Sequence, residues 1–340
     1  ATMAFRSKAP ERFVDELAEL TSRYAVRDVM TADNIIDHRY FRTMLPELAR
    51  RGLGLRLFFE VKANMKREHV EALRAAGVMR VQPGIESLDD DVLGVMRKGV
   101  TALQNVQTLK LCKESGIAVT WNLLMGFPNE DPRAYDRMAR LIPLLAHLPP
   151  PEMAAPIRLD RFSPFFDDPA AFGMTNVRPA PAYADVYGGS RESLARLAYY
   201  FEFDYADGRD VATYTADAVA AVRRWRAAHE GSDLCILSTD AGQLVIDRRP
   251  GAPRPFLVLT GVERTVHEAC DEIADVRAVL AAAAAAHPET PADDVLAACS
   301  RLAEAGLLLE QGGRYLSLAV TLEHGASRAL RDRLAAGLSS

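Results

Sequence analysis

Polar side chains recur at the ends of five candidate strands: Asp33-Asn34, Glu60 with Lys62, Glu86-Ser87, Asn122 followed by Gly126-Phe127, and Arg158 with Asp160 and Arg161. Carboxylates and amides accept hydrogen bonds, Lys62 and the arginines supply cations, and Gly126 lets backbone approach a ligand with no Cβ in the way. In a barrel of parallel strands the carboxyl ends are where ligands bind and chemistry occurs. Plainer roles compete at each position. Asp33-Asn34 fits ordinary turn and N-cap chemistry. Glu60 and Lys62 on a solvated strand end would form a pair worth little. Ser87 suits the cap of a following helix, Phe127 suits a core, and Arg97 and Lys98 before Gly99 suit the end of a helix dipole.

The elements that must position these residues alternate between strand and helix patterns. Pro10 opens a helix carrying Phe13, Leu17, Leu20 and Tyr24. Val26–Ala32 reads as a strand, and a helix over His38–Arg51 stops at Gly52. In the next strand, Leu55–Lys62, Leu55, Leu57, Phe59 and Val61 face one way while Arg56, Phe58, Glu60 and Lys62 face the other. Helix Lys66–Ala76, strand Val78–Gln82, helices Leu88–Met96 and Thr101–Ser115, strand Ile117–Met125, helix Pro132–His147 and a last strand Pro156–Phe162 complete the series. Such alternation implies α/β architecture with a parallel sheet.

The chain has 340 residues, 49% of them hydrophobic, and a formal net charge of −5, so it lacks the basic field that nucleic-acid binding needs. Cys112, Cys235, Cys270 and Cys299 lie too far apart for a metal-type spacing. No apolar run is long enough to span a bilayer and the start does not read as a signal peptide, so the expectation is a cytoplasmic protein without nucleic-acid or membrane partners.

Four segments are expected: 1–165, a partial βα barrel; 166–230, a helical extension over the barrel mouth; 231–322, a small α+β winged-helix domain; and 323–340, a tail. In the third, short strands at Leu234–Ser238, Leu244–Asp247 and Phe256–Leu259 precede a capping box of Thr260 with Glu263. A helix begins at Pro291, and a hairpin turns at Gly312-Gly313. Asp293, Asp294 and Glu304 against Arg301 make a poor phosphate-reading helix.

Several phrases resemble the radical S-adenosylmethionine (SAM) superfamily. They are Thr2-Met3-Ala4-Phe5-Arg6-Ser7-Lys8, Asp33-Asn34-Ile35-Ile36-Asp37, Gln82-Pro83-Gly84-Ile85-Glu86-Ser87-Leu88, Met96-Arg97-Lys98-Gly99, Asn122-Leu123-Leu124-Met125-Gly126-Phe127-Pro128 and Pro156-Ile157-Arg158-Leu159-Asp160-Arg161-Phe162-Ser163-Pro164. Within it, the likeness is to cobalamin-associated enzymes that mature ribosomal peptides. The resemblance implies a partial radical SAM barrel, SAM held by Asp33, Asn34, Glu60, Lys62, Glu86, Ser87, Asn122, Gly126, Phe127 and Arg158, and substrate met by Asp160 and Arg161. It further implies a [4Fe-4S] cluster, cobalamin, and a precursor peptide as partner. In such chemistry the reduced cluster cleaves SAM to an adenosyl radical that abstracts hydrogen, and methylcobalamin gives the methyl group. The CxxxCxxC-type loop that ligates the cluster has no counterpart here, so no metal ligand is assigned. The expectation is a carboxyl-terminal part of a longer enzyme, inactive alone, with the cluster and cobalamin parts as its partner. A cobalamin-independent maturase and a non-catalytic peptide-binding barrel are the alternatives. The winged helix resembles peptide-recognition domains that take a leader segment as an added strand.

Overall fold

The computed structural model describes residues 6–32 and 35–321. Helix α1 (Pro10–Arg23) buries Val14 and Leu17 and leads to β1 (Asp28–Met30). The expected helix over His38–Arg51 divides into a 3-10 turn, His38–Phe41, and α2 (Met44–Arg51). Pro46 explains the break, because its ring excludes the carbonyl four residues earlier and is tolerated only in a first turn. Strand β2 (Arg56–Val61), α3 (Arg67–Ala75), β3 (Val78–Pro83), α4 (Asp90–Val95) and α5 (Ala102–Ser115) follow. Asp89, not Ser87, caps α4; its carboxylate accepts from the Asp91 and Val92 N–H groups.

The strand expected over Ile117–Met125 is two pieces, β4 (Ala118–Val119) and β5 (Asn122–Met125). The interruption carries Trp121, buried against Trp225 and donating its indole N–H to the Pro149 carbonyl at 3.0 Å. After α6 (Arg133–Leu141), β6 (Met153–Pro156) is the last strand of the βα series. β1, β2, β3 and β4 pair in that order, all parallel, and β5 pairs β6 in parallel. A bridge between Glu86 and Leu123 keeps β5 beside the β3 tip. Parallel neighbours in chain order, with helices between, give an open arc of a βα barrel.

The expected last strand, Pro156–Phe162, is corrected. Ile157 still donates to the Met125 carbonyl, but β7 (Leu159–Asp160) leaves the parallel series for an antiparallel sheet. That sheet has the order β7-β9-β8, with β8 at Met174–Pro179 and β9 at Tyr200–Tyr205. Short helices α7 (Pro164–Asp167), α8 (Ala182–Tyr187) and α9 (Arg191–Leu197) fill the connections, and α10 (Val211–Ala228) packs on α6.

The carboxyl-terminal unit starts with antiparallel β10 (Leu234–Thr239), β11 (Gly242–Asp247) and β12 (Phe256–Leu259), as expected from the sequence. Then come α11 (Gly261–Ala269), β13 (Ala274–Asp275), α12 (Val276–Ala286), α13 (Ala292–Glu304), β14 (Leu308–Gln311) and β15 (Arg314–Ser317). β16 (Val320–Thr321) returns to lie parallel to β10. Thr260 stands at the start of α11 but its side chain makes no capping bond, so the expected capping box is absent. Gly312 and Gly313 both take left-handed torsions in the two-residue hairpin turn, which side chains disfavour there.

One apolar core runs from Leu123, Phe127 and Tyr135 through Trp225 to Val279, Leu302 and Leu316, so the last unit shares its core with the barrel. Helix α5 is buried on every side between them. Its Lys110 is wholly buried and bonds the Asp271 carboxylate (2.8 Å) and carbonyl (2.7 Å). Arg67 bridges Asp271 and the wholly buried Glu114, and Glu114 also accepts from the Thr321 N–H. Burial alone would raise the Asp271 pKa; Lys110 and Arg67 outweigh it and hold the carboxyl below its ordinary value. Among the described residues no helix is long and apolar enough to cross a membrane.

Candidate functional site

The carboxyl ends of β2, β3 and β5 surround a hollow of about 270 Å³. Alternation along β2 places Leu57, Phe59 and Val61 in the core and leaves Glu60 and Lys62 towards this space. Gln82, Gly84 and Glu86 enter from the β3 tip, and Asn122 and Leu124 from β5. Glu60, Lys62, Gln82 and Asn122 have no side-chain hydrogen-bond or ion-pair partner among the described residues. Glu60 and Asn122 are half-buried and Lys62 and Gln82 are exposed, so all four are available to a ligand with complementary donors and acceptors.

Glu86 is held by backbone as well as by charge. Its φ of +49° is a left-handed conformation unusual for a residue with a Cβ, and its carbonyl accepts the Leu124 N–H at 2.9 Å. Its carboxylate pairs with the ammonium of Lys98. Lys98 was expected to serve the end of a helix. Positive torsions at Arg97 and Gly99 instead turn the chain back, so Lys98 lines the hollow as its second cation. A wider cavity of about 510 Å³ opens on the other side of Lys62, lined by His38, Phe41, Asn64 and His69.

Other expected residues sit elsewhere. Asp33 and Asn34 lie outside the described residues. Ser87 is wholly buried; its hydroxyl accepts the Asp89 N–H at 3.2 Å and does not face the hollow. Phe127 packs in the main core. The space beside Gly126 is filled by the chain itself: a Cβ there would meet the Tyr205 hydroxyl at 2.6 Å and Val211 at 3.2 Å. Arg158 and Asp160 pair with each other at 2.6 Å on the antiparallel sheet, with the guanidinium 3.8 Å over the Tyr200 ring. Arg161 donates to the Ala198 carbonyl at 2.6 Å and lies over Phe166 and Phe201, a packing position. The structure therefore gathers Glu60, Lys62, Glu86 and Asn122 and leaves Ser87, Gly126, Phe127, Arg158, Asp160 and Arg161 outside the lining.

Sequence reasoning also missed Glu130. It is buried, and its carboxylate accepts the N–H groups of Gly126 (2.8 Å) and Phe127 (2.9 Å) and the hydroxyls of Tyr135 (2.8 Å) and Tyr214 (2.6 Å). Its signal was the spacing Gly126-Phe127-Pro128-Asn129-Glu130, an acid close enough to fold back on its own turn. The cysteines do not make a centre. All four are buried, with burial pushing the Cys112 thiol up to about 12, and the described residues hold no group of three metal-ligating side chains.

The radical SAM superfamily model matches residues 2–142. An uncharacterized methyltransferase of Pyrococcus horikoshii is 26% identical over 129 residues, which are 37% of this chain and 28% of that protein. The anaerobic magnesium-protoporphyrin IX monomethyl ester cyclase of Cereibacter sphaeroides is 23% identical over 144 residues, 40% of this chain and 24% of that protein. Each match spans about a quarter of the relative's length. Among solved structures, the radical S-adenosylmethionine methyltransferase TsrM of Kitasatospora setae aligns with a TM-score of 0.48 at 18% identity, covering 64% of this chain and 47% of that one. The superfamily model covers every strand that lines the hollow.

Proposed function

We propose that the hollow at the β2, β3 and β5 tips binds S-adenosylmethionine and that the chain serves a radical SAM methyl transfer to a ribosomal peptide. The observation that carries this is the convergence of Glu60, Lys62, Gln82 and Asn122 without partners around one hollow, beside the Glu86–Lys98 pair, within the segment the superfamily model matches. SAM presents a carboxylate, an amino group, ribose hydroxyls and a sulfonium. Lys62 and Lys98 suit the carboxylate, Glu60 and Glu86 suit the amine or hydroxyls, and Asn122 can donate and accept. Likeness to a methyltransferase favours methylation over other radical chemistry. The [4Fe-4S] cluster and cobalamin are a different matter. The described residues supply no ligand set for the cluster, and no described residue is assigned to cobalamin.

Titrating the chain with SAM in a calorimeter tests the reading. Lys62→Ala is expected to weaken binding about tenfold, roughly 1.4 kcal/mol. Unchanged affinity would remove Lys62 from the site.

The carboxyl-terminal unit supports the peptide half of the reading. Its element order fits a winged helix, and β12 is an edge strand whose Phe256 and Val258 are about half exposed (49% and 47%). An edge with unpaired backbone groups and projecting apolar side chains suits an added peptide strand. On α13 the acidic Asp293 and Asp294 prevail, and Arg301 is engaged by Glu263, which disfavours nucleic acid.

A further inference from the structure

The cavity of about 510 Å³ beyond Lys62 is framed by the turn after β1 and by the segment joining β2 to α3, and it shares Ile35, Val61 and Lys62 with the hollow. Its size falls within the range of small-molecule sites, roughly 300–1,000 Å³. Two kinds of surface meet in it. Phe41, Val61 and Met65 make an apolar wall, in which Val61 and Met65 are buried. His38, Lys62, Asn64 and His69 supply hydrogen-bond donors.

The His69 ring packs on Phe41 and His38, with centroids 4.7 and 5.4 Å away. Its Nδ1 accepts the Lys66 N–H at 3.2 Å, which puts the ring hydrogen on Nε2. Burial holds this imidazole below its ordinary pKa, so at neutral pH it is an uncharged donor. The Glu68 carboxylate stands 3.7 Å from Nε2, beyond hydrogen-bond reach, and points largely to solvent. His38 makes ring contacts only, and the side chains of Lys62 and Asn64 bond nothing among the described residues. The acid in the lining, Asp37, is already engaged: it pairs with Arg39 at 2.7 Å and accepts from the Ser7 hydroxyl. Its charge is therefore met before an anion enters.

We propose that this cavity is a substrate subsite for the free carboxyl end of a peptide. His38, Asn64 and His69 take the carboxylate, Lys62 stands between the two spaces as a shared cation, and the wall of Phe41, Val61 and Met65 takes the last side chain. An acidic side chain fits less well, because it brings a carboxylate with little apolar body to cover that wall. The substrate role rests on the SAM reading of the hollow, since the shared wall sets the bound residue beside it; carboxylate binding itself does not.

The test is calorimetry on the full chain with N-acetyl-leucine, N-acetyl-leucine amide and the α-amide of N-acetyl-glutamate, each without and with saturating SAM. N-acetyl-leucine is expected to bind about tenfold more tightly than its amide, which lacks the charge, and about fivefold more tightly than the glutamate probe, which lacks the apolar body. His69→Phe keeps the ring packing and removes the donor, so affinity for N-acetyl-leucine is expected to fall about tenfold while SAM affinity holds. His38→Phe, at an exposed ring, serves if His69→Phe does not fold, with a loss of about threefold. Equal affinity for N-acetyl-leucine and its amide would overturn the carboxylate assignment. Tighter binding of the glutamate probe would overturn the terminal one, and displacement of N-acetyl-leucine by SAM would make the cavity part of the hollow and end the subsite. A chain that binds SAM but not N-acetyl-leucine loses the subsite alone. One that binds N-acetyl-leucine but not SAM keeps the carboxylate site and loses the reading of the hollow, with the substrate role.

Discussion

The tips of β2, β3 and β5 and the face of α5 turned towards Asp271 both carry charged residues, and they treat them in opposite ways. Behind α5, Lys110, Glu114, Arg67 and Asp271 form a closed network in which each charge meets another. At the tips, Glu60, Lys62, Gln82 and Asn122 face a hollow with nothing to bond. A buried charge left unpaired costs several kcal/mol, so a chain satisfies it internally wherever it can. Groups left unsatisfied in a half-open hollow cost little while water reaches them, and they stay available. Completed pairing marks a joint, and incomplete pairing leaves groups free to meet water or a ligand.

The largest expected effect lies in the joint. Asp271→Ala leaves the Lys110 ammonium with a single carbonyl and should cost about 3 kcal/mol in urea denaturation. A loss below roughly 1 kcal/mol would show that water reaches the network. Next is acid sensitivity around the same contact. His267 is buried, and burial, then the Lys110 charge, lowers its pKa from 6.5 to about 3. Below pH 6.5 the unfolded chain takes a proton there that the folded chain refuses. The stabilisation is complete above that value and is lost as pH falls through the window down to about 3. Between pH 7.5 and 5 this should remove roughly 2 kcal/mol, and His267→Gln should flatten the profile. The smallest effect belongs to the tips. Asn122→Ala and Glu60→Gln should change stability by no more than about 0.5 kcal/mol, because neither breaks a bond. A larger loss would mean that the hollow is part of the scaffold.

Much of this contrast was legible in the residues. The two-residue alternation of β2 set Glu60 and Lys62 on one face, and glycines at 52, 77 and 116 marked element ends where the structure has them. The tips of β2, β3 and β5 could therefore be placed without coordinates. Lys98 could not, because its direction depends on left-handed torsions at Arg97 and Gly99, and no periodicity encodes them. Glu86 points into the hollow while Ser87 beside it enters the core, a choice made by the same kind of torsion. Helix α12, largely alanine, carries no amphipathic pattern to read. On α5, Lys110 and Glu114 imitate a solvated face, and only the distant residues Asp271 and Thr321 make that face an interior. Local signals report on local geometry; contacts across 161 and 207 residues leave no mark nearby.

The shared core behind α5 also decides how the last third of the chain can be studied. Trimming the protein near Gly231 would lay bare an ammonium, a carboxylate and a broad oily flank together, and the shortened product would be expected to clump. Loss of peptide capture by such a truncation would then report a damaged barrel as readily as a missing receptor. Proline placed within the Phe256–Leu259 edge, with everything else intact, interrogates that edge without dismantling its support.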